Sequence, residues 1–142
     1  MEGSCVGVWV AHGEGNATFQ TDGSQLAEAE KCLQNGRVVL QYADDSAAPT
    51  QQYPFCPNGS PLGIAGLCSE DGRHLAMMPH PERAILPWQV CCPDCFGAYV
   101  FCHQWAYMPK SLIDRCSQAG GVSPWMKMFQ NAADWCRATS GP

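Results

Sequence analysis

The chain has 142 residues, of which 46% are hydrophobic and 15% charged, and this composition indicates one globular domain and not a disordered segment. The net charge of −5 is spread thinly, and no cluster of Lys or Arg could follow a phosphate backbone, which argues against nucleic-acid binding. No apolar run reaches the length of a membrane-spanning helix, and the first residues lack the basic region of a signal peptide, so we expect no membrane contact.

Five stretches have the pattern of β-strands. Residues 6–11 form a compact β-branched and aromatic run that predicts a buried strand, and residues 17–21 predict a short second one. Residues 37–43 predict the next strand. Residues 64–68 and 74–78 predict a strand pair, because an Asp-Gly turn signal joins them. A helix pattern between the earlier strands favours an α/β architecture.

Two stretches have the pattern of helices. Ser24 can cap the first helix, which ends near residue 34 because an Asn-Gly pair follows. Ser123 can cap the second helix, with Pro124 as its first residue, a position that proline tolerates. The predicted apolar faces are Leu26, Ala29 and Leu33 in the first helix, and Trp125, Phe129, Ala132 and Cys136 in the second.

Ten cysteines are many for this length. An even number can form a disulfide framework in a secreted protein. Such frameworks belong mostly to small chains that cannot build a core, whereas this chain has strand and helix patterns of its own. We therefore expect reduced thiols, with disulfides as the alternative.

The segment at residues 77–83 carries the candidate chemistry. Pro81 favours an extended conformation at His80, and residues two apart in an extended chain point the same way. His80 and Glu82 can therefore project together from the end of a strand, where the carboxylate fixes the imidazole tautomer and the second ring nitrogen acts as a base for a thiol. The alternative is that His80 ends a strand and Glu82 is a solvated surface charge.

Three segments, in order and in register, resemble one family. Residues 8–15 read VWVAHGEG, residues 57–84 read PNGSPLGIAGLCSEDGRHLAMMPHPERA, and residues 123–132 read SPWMKMFQNA. They are similar to the glutamine amidotransferase domain of the phosphoribosylformylglycinamidine synthases. The resemblance implies a class I, flavodoxin-like α/β fold, of which residues 1–142 form the incomplete C-terminal portion.

The resemblance also implies an activity. The family hydrolyses glutamine through a Cys-His-Glu triad and uses the ammonia, with ATP, to amidate formylglycinamide ribonucleotide in purine biosynthesis. His80 matches the triad histidine and Glu82 the triad glutamate, and by analogy His12, Gly13 and Glu14 line the glutamine pocket. ATP and Mg²⁺ belong to a separate upstream synthetase region, so we expect no cofactor and no metal in this chain. The pathway implies a cytoplasmic location.

The nucleophile is one departure from the family. Its G-x-C-x-G turn lies upstream of the segment that resembles residues 8–15, so we expect this chain alone to be inactive as a glutaminase. Cys5 lies in a literal G-x-C-x-G at residues 3–7, but a strand pattern follows where the turn requires a helix. A cysteine hydrolase that uses Cys5 is the alternative. At Cys56 the family usually has Asn, which leaves the geometry of the following turn open.

A third departure is an insert at residues 90–104, which separates two stretches that are continuous in the family. Its borders are compatible with splice junctions, and we favour a short intron retained in frame. The alternative is a small zinc-binding module, because thiol and imidazole ligands suit zinc. Its candidate ligands are Cys92, Cys95, Cys102 and His103.

Overall fold

The computed structural model describes residues 8, 13, 15–19, 23–86 and 123–139. The strand predicted at residues 6–11 and the insert at residues 90–104 lie outside these ranges, apart from Val8. Within them, no helix has the length and apolar character needed to cross a membrane.

A three-stranded antiparallel sheet forms the centre of the described fold. Its strands are β1 (Val38–Gln41), β2 (Ile64–Cys68) and β3 (Leu75–Met77), in the order β1-β2-β3. The sequence predicted all three, with slightly longer bounds for the outer two. Gly66 of the central strand pairs with Met77 of β3. The sheet and its neighbouring helix give a small α/β unit, which agrees with the predicted class at that level.

A short turn joins β2 to β3. The Ser69 amide donates to the His74 carbonyl, and Gly72 has a φ of +68°. The Asp71 carboxylate accepts from the Ser69 hydroxyl at 2.6 Å and from the Arg73 amide at 3.2 Å. These hydrogen bonds lower the pKa of Asp71, and the one from Ser69 makes the largest contribution. The turn therefore closes the hairpin that the Asp-Gly signal predicted.

Helix α1 (Gln25–Gln34) follows Ser24, and Gly36, with a φ of +67°, ends it as predicted. Ser24 has the extended conformation of a cap but makes no side-chain capping bond. Ala29 is fully buried, whereas the two leucines of the predicted apolar face are largely exposed. Ala29 is therefore the one fully buried residue of the helix, and the two leucines of its predicted apolar face remain partly open to solvent.

The strand predicted at residues 17–21 is wrong over residues 17–19, which have no regular secondary structure. A side chain pairs with this segment instead. The Phe19 amide donates to Gln25 Oε1 at 2.6 Å, and Gln25 Nε2 donates to the Phe19 carbonyl. The first residue of α1 therefore occupies the backbone groups that a neighbouring strand would use.

Helix α2 (Met126–Thr139) begins two residues later than predicted. The Ser123 amide donates to the Ile85 carbonyl at 2.7 Å, and the Ser123 hydroxyl accepts from the Trp125 amide at 3.2 Å. Ser123 and Trp125 are buried, but no residue within α2 is buried. The helix is thus attached by the residues immediately before it, and Arg73 lies 5.8 Å from the ring centroid of Trp135 further along.

Candidate active site

His80 and Glu82 lie on the connection that leaves β3. Their contact is direct, with 2.7 Å between His80 Nδ1 and Glu82 Oε1. The sequence predicted this proximity through an extended chain. Instead, Pro81–Arg83 form a single 3₁₀ turn with His80 as its cap, at φ −110° and ψ 81°. The two side chains remain 40% and 54% exposed, so both can be reached from solvent.

The protonation of this pair follows from the carboxylate. A hydrogen bond from its own backbone amide lowers the pKa of Glu82, and the hydrogen bond with His80 lowers the pKa further. Glu82 is therefore ionised at neutral pH and can only accept. Because Nδ1 of a neutral His80 must then donate, its proton lies on Nδ1, and Nε2 is the nitrogen that can take a proton from another group.

A backbone hydrogen bond holds the start of this connection. The Met78 amide donates to the Ala65 carbonyl of β2 at 2.9 Å, which extends the β2–β3 pairing beyond the end of the strand. Pro79 and Pro81 are both buried on either side of the partly exposed His80. The chain therefore presents the imidazole from a segment that is buried immediately before and after it.

Asn58 lies beneath this segment, and sequence reasoning missed it. Its Nδ2 donates to Met78 Sδ at 3.1 Å. Its Oδ1 accepts from the Ser60 amide at 3.1 Å and the Ser60 hydroxyl at 2.9 Å. The only signal in the sequence was the Pro-Asn-Gly-Ser composition, which predicted a loop without predicting its contacts.

The same loop holds the segment at residues 15–19. Asn16 Nδ2 donates to the Asn58 carbonyl at 2.6 Å, and the Ala17 amide donates to the Ser60 hydroxyl at 3.0 Å. Ser60 is completely buried. Its hydroxyl therefore accepts one hydrogen bond and donates another, as a buried polar group requires.

Cys56 fits where the family usually has asparagine. It is buried, and its thiol lies 3.5 Å from Asn58 Oδ1, within hydrogen-bonding range for sulfur. Burial raises the pKa of the neighbouring Tyr42 to about 12, with a further contribution from Cys56. Among the described residues, Cys32, Cys56 and Cys68 are free thiols.

The other predicted site residues are less defined. Gly13 is exposed, with no atom within 4 Å of where a Cβ would lie. His12, Glu14 and Cys5 lie outside the described residues, so the glutamine pocket stays a prediction. The candidate zinc ligands at residues 92–103 also lie outside them. Over the described ranges, no group of three or more His, Cys, Asp or Glu could hold a metal ion.

Comparison with known proteins defines the class. The family described as the CobB/CobQ-like glutamine amidotransferase domain matches residues 1–136, and the chain belongs to that family. Among curated relatives, it is 47% identical over 135 residues to the probable phosphoribosylformylglycinamidine synthase, chloroplastic/mitochondrial, of Arabidopsis thaliana. It is 45% identical over 135 residues to the Homo sapiens phosphoribosylformylglycinamidine synthase, and 46% over 137 residues to that of Drosophila melanogaster.

These matches cover 95–96% of this chain but only 8% of each of those three relatives. The predicted resemblance is confirmed. The chain corresponds to a small part of much longer proteins, and that part is a glutamine amidotransferase domain.

Proposed function

We propose that this chain is the C-terminal part of the class I, flavodoxin-like glutamine amidotransferase domain of a phosphoribosylformylglycinamidine synthase. In this proposal it supplies the base and its orienting carboxylate. The observation that carries the proposal is the 2.7 Å contact between His80 Nδ1 and Glu82 Oε1 on the connection that leaves β3. Family membership supplies the substrate class, which is glutamine.

The proposed reaction begins with the cysteine thiol of the family's G-x-C-x-G turn, which is supplied by the upstream part of the domain and is not Cys5. His80 Nε2 takes the thiol proton, and the thiolate attacks the side-chain carbonyl carbon of glutamine. The protonated imidazole then gives its proton to the departing amide nitrogen, which leaves as ammonia. A water molecule, deprotonated by the same nitrogen, cleaves the thioester and releases glutamate.

Glu82 stays ionised throughout these steps. Its lowered pKa keeps it a carboxylate, so it can stabilise the imidazolium that forms at each proton transfer. His12, Gly13 and Glu14 are the proposed glutamine contacts. In the whole enzyme, the partner of this domain is the synthetase region, which would bind ATP, Mg²⁺ and the ribonucleotide and consume the ammonia, in the cytoplasm.

A chimera tests this proposal. This chain would replace the matching 135 residues of the human relative, to which it is 45% identical. We expect ATP-dependent amidation with glutamine as the nitrogen donor. His80→Ala should reduce that activity by about 10⁴-fold or more, because loss of a triad base typically costs this much or more. Glu82→Gln should reduce it by about 10⁴-fold, because the wrong imidazole tautomer is then favoured.

Ammonia as the nitrogen donor provides the control. Both variants should retain the ammonia-dependent rate, because the synthetase region does not need the glutaminase triad. If His80→Ala left the glutamine-dependent rate within tenfold of the parent chimera, His80 would not be the base. A parent chimera active with ammonia but inactive with glutamine would also contradict the proposal.

A further inference from the structure

We infer that Asn58 is a positioning residue for His80: its side-chain amide fixes Met78, and through Met78 it fixes the imidazole relative to Glu82. The inference rests on the proposed function for its catalytic meaning. Its structural content does not depend on that function. The Asn58 side chain bonds Met78, Ser60 and Tyr42, so it acts on His80 through the chain and not on the substrate.

The orientation of the Asn58 amide is fixed by its partners. The Ser60 backbone amide can only donate, so the atom 3.1 Å from it must be the oxygen Oδ1. The opposite atom, Nδ2, therefore faces Met78 Sδ at 3.1 Å and the Tyr42 hydroxyl at 3.5 Å. A flipped amide would place a second donor against the Ser60 N–H and lose the bond to the Met78 sulfur, which can only accept.

Met78 is thereby held at two points. Its amide is bonded to the Ala65 carbonyl, and its sulfur accepts from Asn58. Without the second contact, the thioether could change rotamer easily, because its side chain has three rotatable bonds. The Asn58 amide thus restrains the residue from which the catalytic connection departs.

The prolines carry this restraint to His80. Pro79 and Pro81 each have a fixed φ, and both are buried. Between Met78 and the 3₁₀ turn, few backbone torsions can move independently. A displacement at Met78 therefore changes the position of His80 against Glu82, instead of being absorbed by the intervening chain.

The test is the tautomer of His80 in the full 142-residue chain, read from the imidazole ring nitrogens by ¹⁵N NMR at pH 8.5, where ordinary imidazoles are neutral. His80→Gln assigns the signal, and the exposed His74 is the internal reference. In the unmodified chain, we expect the ratio of the Nδ1–H to the Nε2–H tautomer to be roughly fivefold higher at His80 than at His74. A charge-assisted hydrogen bond between partly exposed groups allows a preference of this size.

Three substitutions separate positioning from folding. Asn58→Leu removes both ends of the amide, Asn58→Asp keeps the acceptors for Ser60 but loses the donor to Met78, and Met78→Leu removes the sulfur. In each variant, the tautomer ratio of His80 should fall to within about twofold of the ratio at His74. Asn16→Ala is the matched control, because it removes only the bond to the Asn58 carbonyl, and it should leave His80 unchanged.

An unchanged His80 tautomer in Asn58→Asp or Met78→Leu would overturn the inference. So would loss of dispersed amide signals in all three variants, because Asn58 would then be required only for folding. These results are independent of the chimera assay. An inactive chimera would leave the NMR comparison valid, and an unchanged tautomer would leave His80 as the proposed base.

Discussion

Tyr42 shows at the scale of one residue how burial sets chemistry near the site. Its hydroxyl lies 3.5 Å from Asn58 Nδ2, next to the buried Cys56. Burial raises its pKa from 10.0 to about 12, and Cys56 adds to this, while the Asn58 hydrogen bond acts in the opposite direction. The folded chain therefore holds a neutral tyrosine at pH values where an unfolded chain would ionise it.

This pKa shift predicts a loss of stability in alkali. Between pH 10 and 12 the unfolded state releases the Tyr42 proton while the folded state keeps it, so the free energy of unfolding falls as pH rises. We expect a fall of about 1–2 kcal/mol from this residue, allowing for its partial exposure. The free energy of unfolding of Tyr42→Phe should fall less over this pH range, because phenylalanine has no proton to release.

Urea unfolding at pH 8 and at intervals to pH 11.5 measures the difference between the two chains. Tyr53→Phe is the control, because it removes the same hydroxyl from a side chain that is 76% exposed. Parallel curves for the unmodified chain and Tyr42→Phe would show that burial does not hold the Tyr42 proton.

At the scale of elements, the entry into β2 depends on Gly63. This residue has a φ of +66°, and a Cβ there would lie 2.4 Å from the Thr50 carbonyl oxygen and 3.3 Å from that of Tyr42. Its own carbonyl accepts from the Tyr42 amide at 2.7 Å. Backbone from two sides thus closes around the position where the loop meets the central strand.

Gly63 and Gly72 allow a matched prediction. Both have a φ near +67°, but Gly72 has open space where a Cβ would lie. Gly72→Ala should cost about 1 kcal/mol from the left-handed backbone alone. Gly63→Ala should cost roughly 1–3 kcal/mol more, because rigid backbone must move. Equal losses in urea unfolding would contradict the packing argument.

The elements predicted best were those specified by local sequence. The β2–β3 hairpin has its turn signal and both strands within fourteen residues, from 64 to 77. Residues 17–19 do not form the predicted strand, because the Gln25 side chain bonds the backbone of Phe19. The alternation of apolar and polar residues does not reveal that a side chain will take the place of a neighbouring strand. The second helix begins at Met126 and not at Pro124, because the Met126 amide donates to the Ser123 carbonyl and closes a tighter turn before the helix.

The site was predictable in part for the same reason. His80 and Glu82 are two residues apart, so their proximity followed from the Pro-flanked sequence, although a 3₁₀ turn brings them together. Asn58 and Met78 are twenty residues apart, and their contact exists only after the loop folds against β3. Tertiary contacts of this kind have no signature in spacing or composition.

At the scale of the whole molecule, the described core is small. Its fully or nearly buried apolar members are Ala29, Cys56, Ile64, Ala65, Ala84 and Trp125. Several larger apolar side chains are exposed instead. They include Leu26, Leu33, Val39, Leu75, Phe129 and Trp135. Exposed apolar side chains in this number favour contact with other surfaces, because their burial removes apolar area from water.

We therefore predict that the isolated chain self-associates. Leu26 and Leu33 are 46% and 43% exposed and lie seven residues apart on α1, so both face the same side. Sedimentation velocity from about 1 to 100 µM should show a rising weight-average mass, as expected for weak interfaces. Leu26→Glu with Leu33→Glu should shift this rise to a higher concentration.

The matched control for this pair is Ala27→Glu with Gln34→Glu, which adds the same charge to exposed positions beside the two leucines. It should associate like the unmodified chain if the apolar surface, and not net charge, drives the contact. A chain that stays monomeric to 100 µM would show that these leucines are tolerated as single exposed residues. If both pairs of substitutions reduced association equally, the added charge would be the cause, because only the leucine pair removes large apolar side chains.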